Sequence, residues 1–555
     1  MKVWESDMSK IFLVRSFLCG LFIVVVLGSV LFAGCSHLRG SEDYDTFPVA
    51  APETLRQIEP IDLKEAEEEE TLTPDRDEPE LAELQISLEE CRALVLENNL
   101  DLKVQLINPA IAAERVSQEE AHFEAAFSAN AIYSKSNTPV ASTIEIAGNQ
   151  VDFTYTDLGV NIPLRTGGNI TFDLTDIRTK TDSFWAIYNP SYDSDLSASI
   201  SQPLLRNAGK RVNTYAIRFA EYNMQIADAS TKLAAIRVIA EVDKAYWGLY
   251  AARKLLEVRR QQYELAETLF EQTERLVDIG IKPPIELIRT RAGVAERLEA
   301  IITAENGVRN TERYLKRMLN KSGLGMETGT VLIPSTEPDP VRYELQKEQM
   351  IASAIENRMD MLELELQLAQ DASTIEYRRN QTLPLVTMEY RYNMNGLGPA
   401  RSDSYDILFD NTFNDHRVGL QVSIPLGNKA AKSRLRQAIY ERAMRLASRD
   451  SKKAQIKYEV LNQIDQLEAS WQHILASRQT TILRDQQCQA EKRQYELGML
   501  TSTDVLEAQT DLADAQRMEI RALTEYQIAL VDLAYATGTL LGAAKVQWEP
   551  FVPEE

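Results

Sequence analysis

Histidine is scarce: His37, His122, His416 and His473 lie scattered through 555 residues without metal-ligand spacing, which argues against a metal centre. Only two cysteines, Cys91 and Cys488, follow the N-terminal segment, too few for a disulfide framework, and whether they meet is open. The chain has no Walker loop, no G-x-S-x-G elbow and no strand-linked G-x-G-x-x-G, so neither a catalytic residue nor a cofactor is expected and the protein does not read as an enzyme. Basic residues are outnumbered, 60 against 83 acids for a net charge of -23, which argues against nucleic acid as a partner. After Cys35 no apolar run is long enough for a membrane-spanning helix.

The one long apolar run comes first. Lys10 and Arg15 precede FLCGLFIVVVLGSVLFAGC, and this pattern predicts a secretory signal over residues 1–34. Ala33 and Gly34 directly before Cys35 resemble a bacterial lipobox, which implies cleavage before Cys35 and lipid on that residue. Residues 35–84 read as an acidic, disordered tether: Ser41 to Leu84 carries sixteen acids against three bases and five prolines, including the run EAEEEE.

Glycine and proline are absent where long helices need them absent. From Lys429 to Leu497 there is neither, and at 1.5 Å per residue the run predicts a helix about 100 Å long. Arg211 to Ile279 behaves likewise apart from Gly248. Ile217, Ala220, Met224, Ala227, Thr231, Ala234 and Val238 recur three and four apart, a coiled-coil spacing with a small-residue seam. Val505, Ala508, Leu512, Ala515, Ala522, Tyr526, Ala529 and Leu533 repeat it near the C-terminus, and such seams are expected to hold neighbouring subunits together.

Other segments alternate with period two. Val418, Leu420, Val422 and Ile424 face one way, Gly419, Gln421 and Ser423 the other; Val386 to Asn393, Leu196 to Ser201 and Phe127 to Tyr133 behave alike. Strands apolar on one side and polar on the other fit a half-solvated sheet or a membrane barrel with a wet lumen. An export signal and helices too long for a compact sheet favour the barrel.

Each long helix ends on one glycine and restarts at once, at Gly280 in LVDIGIKPPIELIRT and Gly498 in YELGMLTSTDVLEAQ, with an acid six residues on, Glu286 and Asp504. The openings ALVLENNLDL and SAIENRMDML also correspond, so the chain is read as duplicated. Together with SQPLLRNAGK and SIPLGNKAAK, these segments resemble the TolC-like outer membrane efflux protein family. The resemblance implies a mainly α fold with a membrane β-barrel, in which a duplicated helix-strand-strand-helix unit forms a trimeric outer membrane barrel and a long periplasmic α-helical tunnel. It divides the chain into a first repeat at 85–322 (strands near 127–205, helices 211–279 and 284–320), a linker at 323–345, a second repeat at 346–542 (strands near 384–426, helices 429–497 and 502–537) and a tail at 543–555. The implied function is a passive efflux or secretion duct in the cell outer membrane, a homotrimer embedded in outer membrane lipid that works with a periplasmic adaptor protein and an inner-membrane transporter. A periplasmic adaptor or coiled-coil structural lipoprotein is the alternative, and it would lack the alternating strands.

The resemblance also places Glu286, Asp504, Glu507 and Tyr495 near a periplasmic aperture, beside the helix-break turns at Gly280 and Gly498. Leu500 stands where some relatives carry an Arg that tethers the closed state. A plain helix start is the alternative for Asp504, because an acid in a first turn stabilises the helix dipole. Residues 137–190 exceed the common family pattern, and Thr156 to Ile177 reads as a further hairpin around the turn TGGN. It could lengthen the wall, form a flap or add strands; an extension beyond the membrane is the expectation taken, on a four-strand share of the barrel.

The lipobox is directly testable. Metabolic labelling with palmitate is expected to mark the wild-type chain and to be lost in Cys35→Ala, whereas equal labelling of both would remove the lipid anchor from the reading.

Overall fold

The computed structural model describes residues 83–139 and 149–547. The signal segment, Cys35, most of the tether and most of the tail lie outside them. Glu83 and Leu84, placed in the tether by the sequence, begin the first strand.

The chain runs twice through one order of elements. The first pass is β1 (Glu83–Ile86), α1 (Leu88–Asn98), α2 (Leu100–Glu120), four strands, α3 (Tyr215–Asp278) and α4 (Ile285–Leu319). The strands are β2 (Ala126–Asn137), β3 (Gln150–Pro163), β4 (Asn169–Thr181) and β5 (Ser191–Pro203). The second is β6 (Val331–Pro334), α5 (Lys347–Asn357), α6 (Met359–Asn380), β7 (Leu385–Gly398), α7 (Arg401–Phe409), β8 (Phe413–Ser423), α8 (Lys429–Glu496) and α9 (Ser502–Ala536). The short strands β1 and β6 open the two passes and pair with each other in parallel.

With 64 and 68 residues, α3 and α8 are about 96 and 102 Å long by helical rise. Most of such a helix's stability in a protein comes from neighbours packed along its flank. The others supply them end to end. α2 and α4 pack on α3, α6 and α9 on α8, and α3 also touches α6 and α9. Where α4 ends, Asn320 adopts a left-handed backbone (φ 42°) and donates from Nδ2 to Asn98 O, while Asn99 donates to Met318 O at 3.1 Å. Where α9 ends, Arg358 caps Ala536 O, and Gly538 turns at φ 70° with its Cα against the Asn357 backbone. A Cβ there would sit 3.0 Å from Asn357 C, so both the angle and the space select glycine.

The seam residues of α9 are buried within this one chain. Ala522, Tyr526, Ala529 and Leu533 join Ile456, Val460, Ile464 and Leu467 of α8 in a single core. This corrects the expectation that the seam joins subunits: Ala515 and Ala529 have no surface left to offer a second copy. A second core gathers β1, α1, α3 and α4 around Tyr246, Leu249, Leu315 and Leu319. Beside it the fully buried Asp243 takes a bidentate pair from Arg92 at 2.8 and 2.7 Å, so its charge is matched where water cannot reach it. Cys91, also there, has its thiol pushed up to about 12 by burial and is unreactive; Cys488 is likewise a free, buried thiol.

The strands form one antiparallel sheet of six, in the order β2-β3-β4-β5-β7-β8. Four were expected. The hairpin β3-β4 lies inside the sheet, paired to β2 on one side and to β5 on the other, not beyond it. Pairing with β2 and with β5 decides that placement, which local alternation does not report. One face carries Phe127, Leu158, Phe172, Ala198, Tyr392 and Val418; the other carries Asn130, Asp157, Thr175, Asp195, Asn393 and Asp415. At the end remote from the long helices α7 folds back over β7 and β5. Its Ser404 donates to Gly396 O at 2.9 Å, and Arg401 pairs with Asp176 at 2.8 Å.

The Tyr246 hydroxyl receives Thr336 N–H at 2.8 Å and donates to Ile86 O at 3.2 Å, tying α3 to the starts of both passes. Tyr246→Phe leaves the Thr336 amide without that acceptor and is expected to cost about 1–3 kcal/mol, read as a lowered thermal midpoint of the detergent-solubilised protein with helical content unchanged.

Candidate functional site

The two helix breaks lie side by side at the end of the molecule opposite the sheet. Each is closed by the same pair of backbone bonds. Gly280 N–H reaches Val277 O and Ile281 N–H reaches Leu276 O, both at 2.9 Å; Gly498 and Met499 do the same to Tyr495 O and Gln494 O at 2.9 and 3.0 Å. The glycines sit at φ 77° and 79°, the left-handed region that terminates a helix at least cost.

Between the two tips lies a fastening that joins the first pass to the second. Glu286, in the first turn of α4, is buried; its Oε2 accepts the Ser502 amide at 3.0 Å and also the Ser502 hydroxyl, and its Oε1 takes Arg289 at 2.8 Å. Burial pushes the Glu286 carboxyl up, but the side-chain and backbone hydrogen bonds from Ser502 and the Arg289 charge outweigh it and hold the group below the usual glutamate range. Lys282 donates to Leu500 O at 2.9 Å, and its ammonium lies 4.6 Å from the centre of the Tyr495 ring. Tyr495 is itself buried against Leu269 and Val505, its hydroxyl 2.7 Å from Thr273 Oγ1. Further along, Arg297 of α4 reaches Leu506 O at 3.1 Å and Thr510 Oγ1 at 3.2 Å on α9.

The four residues expected at an aperture therefore divide. Glu286 and Tyr495 point into the protein and hold the tips together. Asp504 accepts from Thr501 N and Thr501 Oγ1, both at 2.7 Å, in a reciprocal cap at the start of α9, and these bonds hold its carboxyl below the usual aspartate range. Glu507, one turn on, is exposed. Sequence reasoning missed Ser502, Lys282, Arg289 and Thr273; each meets a partner more than two hundred residues away or through a local turn with no motif of its own. The helix cap was visible as Thr501 three residues before Asp504.

The polar sheet face is knit by short side chains rather than by packing. Thr175 donates to Asp157 at 2.9 Å, Thr171 and Ser199 hydroxyls lie 2.6 Å apart, and Asn395 donates to Asp415 at 3.0 Å. Among the described residues no group of His, Cys, Asp and Glu is arranged to hold a metal ion, and no helix is long and apolar enough to cross a membrane.

The model of a family described as outer membrane efflux protein matches residues 92–321 and again 350–539. Among curated relatives, outer membrane protein TolC of Vibrio cholerae serotype O1 is 23% identical over 329 residues, covering 58% of this chain and 72% of the relative. Outer membrane protein TolC of Escherichia coli strain K12 is 22% identical over 318 residues, covering 55% of this chain and 62% of the relative. The fold is similar to that of the outer-membrane channel OprN, with a TM-score of 0.60 at 16% identity over 81% of this chain and 89% of that one. It is also similar to the outer membrane protein VceC of Vibrio cholerae, with a TM-score of 0.58 at 14% identity over 81% and 96%.

The Glu286 fastening gives a sign for pH. A carboxyl held low contributes stability at neutral pH and loses it as pH falls through and below the usual glutamate range. The protection factor of the Ser502 amide, its exchange rate measured against the intrinsic rate at the same pH, is expected to fall as pH is lowered into that range. Glu286→Ala should expose the same amide at neutral pH, by about 10- to 100-fold for a lost charged hydrogen bond of roughly 1.5–3 kcal/mol, and should abolish the excess pH dependence.

Proposed function

This chain belongs to the outer membrane efflux protein family, and from that membership we propose that it is the outer membrane channel of a tripartite efflux or secretion system, a passive duct built from three copies. The observation that carries the reading is the pair of free sheet edges. Among the described residues β2 and β8 end the sheet, each with one edge unpaired, and the sheet has one face apolar enough for lipid. Backbone groups in a bilayer need protein partners, so the sheet is complete only when β8 of one copy pairs with β2 of the next. The helices behind these edges agree: α2, behind β2, exposes Val104, Ile107 and Ile111, and α8, behind β8, exposes Tyr440 and Met444. Such a head-to-tail contact makes a ring, and three copies close it.

In that ring the apolar face meets outer membrane lipid, the polar face lines the bore, and the helices extend into the periplasm toward an adaptor and an inner-membrane transporter. The pump selects the cargo; the duct transmits it without chemistry. The Cys35 lipid would anchor the same copy from the periplasmic side. Asp504 and Glu507 are the acids left to ring the aperture, where threefold symmetry gathers like charges and favours cations. The Lys282 and Glu286 contacts hold that end shut until the tips part. The sheet counts against an adaptor, which has no use for a lipid-compatible face.

Chemical cross-linking of detergent-extracted protein is expected to stop at three subunits. In planar bilayers, Asp504→Asn with Glu507→Gln should lose cation preference and block by multivalent cations; unchanged selectivity would leave both residues as helix-start groups only.

A further inference from the structure

The inserted hairpin β3-β4 carries a consequence for the bore. We propose that it is part of the membrane wall, so that three six-stranded sheets close a barrel of eighteen strands. The inference rests on the trimeric reading above, and four observations support it.

The hairpin is stitched on both sides. β2 pairs with β3 from Ala126 opposite Asn161 to Asn137 opposite Gln150, and β4 pairs with β5 from Asn169 opposite Ser201 to Thr179 opposite Ser191. A flap outside the wall would leave β2 and β5 to pair directly. Second, the alternation is in phase across every ladder. Phe127 faces Val160, Val160 faces Phe172, Phe172 faces Ala198 and Ala198 faces Tyr392, so the apolar band crosses the insertion without a gap. A slip of one residue would have turned the whole hairpin over. Third, β3 and β4 have 14 and 13 residues, above the roughly 9–11 that a tilted strand needs to cross a bilayer.

The fourth observation is direction. The turn Leu164 to Gly168 lies at the helix end of the sheet, not at its far end. Gly209 N–H donates to Thr166 O at 3.0 Å, Thr166 Oγ1 donates to Gln202 at 2.9 Å, and Arg165 lies over the Phe123 ring at 5.8 Å and 3.6 Å from Glu120 at the end of α2. Gly167 turns at φ 91°, and a Cβ on it would lie 2.2 Å from Asn207 O, so the turn is built against the helix junction with no space to spare. β3 thus descends the full height of the wall and β4 climbs back.

The helices give an independent measure of width. α2, α3, α6 and α8 adjoin the sheet in each chain, in that contact order, twelve in three copies. Twelve helices spaced 8–10 Å apart make a ring roughly 100–120 Å round. Eighteen strands 4.8 Å apart, tilted about 40°, make roughly 110 Å; twelve would make roughly 75 Å. The insertion lets the wall continue the tunnel at its own width, about one and a half times that of a twelve-stranded barrel. It also adds Asp157 and Asp173 to the lumen. A bore of that width places no constriction at the membrane on bulky, solvated cargo.

Substituted-cysteine labelling of the full chain in native membranes tests this. With single cysteines at Leu158, Val160, Phe172 and Leu174, a membrane-impermeant maleimide is expected to react at least tenfold more slowly than at Asp157, Asn161, Thr171 and Asp173, the same alternation as Ala198 against Ser199 on β5. If β5 alternates and the hairpin positions all react alike, the hairpin is outside the wall and the proposal falls while the trimeric duct stands. If β5 does not alternate either, the barrel reading itself falls. A second variant, Ala129→Cys with Leu196→Cys, places the thiols level with each other on β2 and β5, with β3 and β4 between them and about 14 Å apart in the wall. No disulfide should form there on oxidation, and a disulfide between them would overturn the proposal.

Discussion

A backbone that enters lipid must bring its own hydrogen-bond partners, and this requirement governs most of what the chain does. Inside the sheet each ladder satisfies its neighbour, but β2 and β8 are left with one side open. Among the described residues no other strand of the chain pairs with those edges, and in the proposed ring the next copy does. The apolar flanks of α2 and α8 follow from the same fact, because the helices behind each open edge must also meet the next copy. Cores already closed within the chain, such as that between α8 and α9, give each copy its own rigidity before assembly.

The duplication solves the problem of length. A wall of helices about 100 Å tall cannot be made from two long helices alone, and the chain fills the remaining flanks with shorter ones joined end to end. The joints at Asn320 and at Gly538 are the same device in two passes: a left-handed residue ends the last helix of the pass beside the break between that pass's two opening helices, where the Asn99 amide or the Arg358 guanidinium caps its final turn. Charged side chains gather near these joints. Arg358 is paired with both Asp360 and Glu459, and Lys452 also reaches Asp360, so a break in the helical wall is spanned by ion pairs with little exposure.

Much of this was legible in the sequence, for physical reasons that differ by element. The long helices were visible because sixty residues without proline and with at most one glycine have few other uses; the ends differ by a few residues, with α3 starting at Tyr215 rather than Arg211, because a separate single turn occupies Lys210 to Asn213. The strands were visible from alternation, and the turn TGGN marked the extra hairpin. Its location was not visible, since alternation fixes which face a residue takes and says nothing of which strand lies beside it. Glu286 shows the same limit at the tip. Its repeat offset from Gly280 drew attention to it, but the role depends on Ser502, 216 positions away. The resemblance places Tyr495 and Glu286 near the aperture, and both are buried against protein there.

The antiparallel wall also imposes parity. A strand that leaves the helix end must be followed by one that returns, or everything after it would be built on the far side of the membrane. Between β2 and β5 the chain can therefore accept strands only in even numbers, and β3 with β4 is the smallest admissible gift. Because the addition is a closed round trip, α3 leaves the sheet in the direction it would have taken without it, and the second half of the chain need not change. Pore width is in this sense a modular quantity, adjustable by two strands per copy, six per ring, without redesigning the helices below.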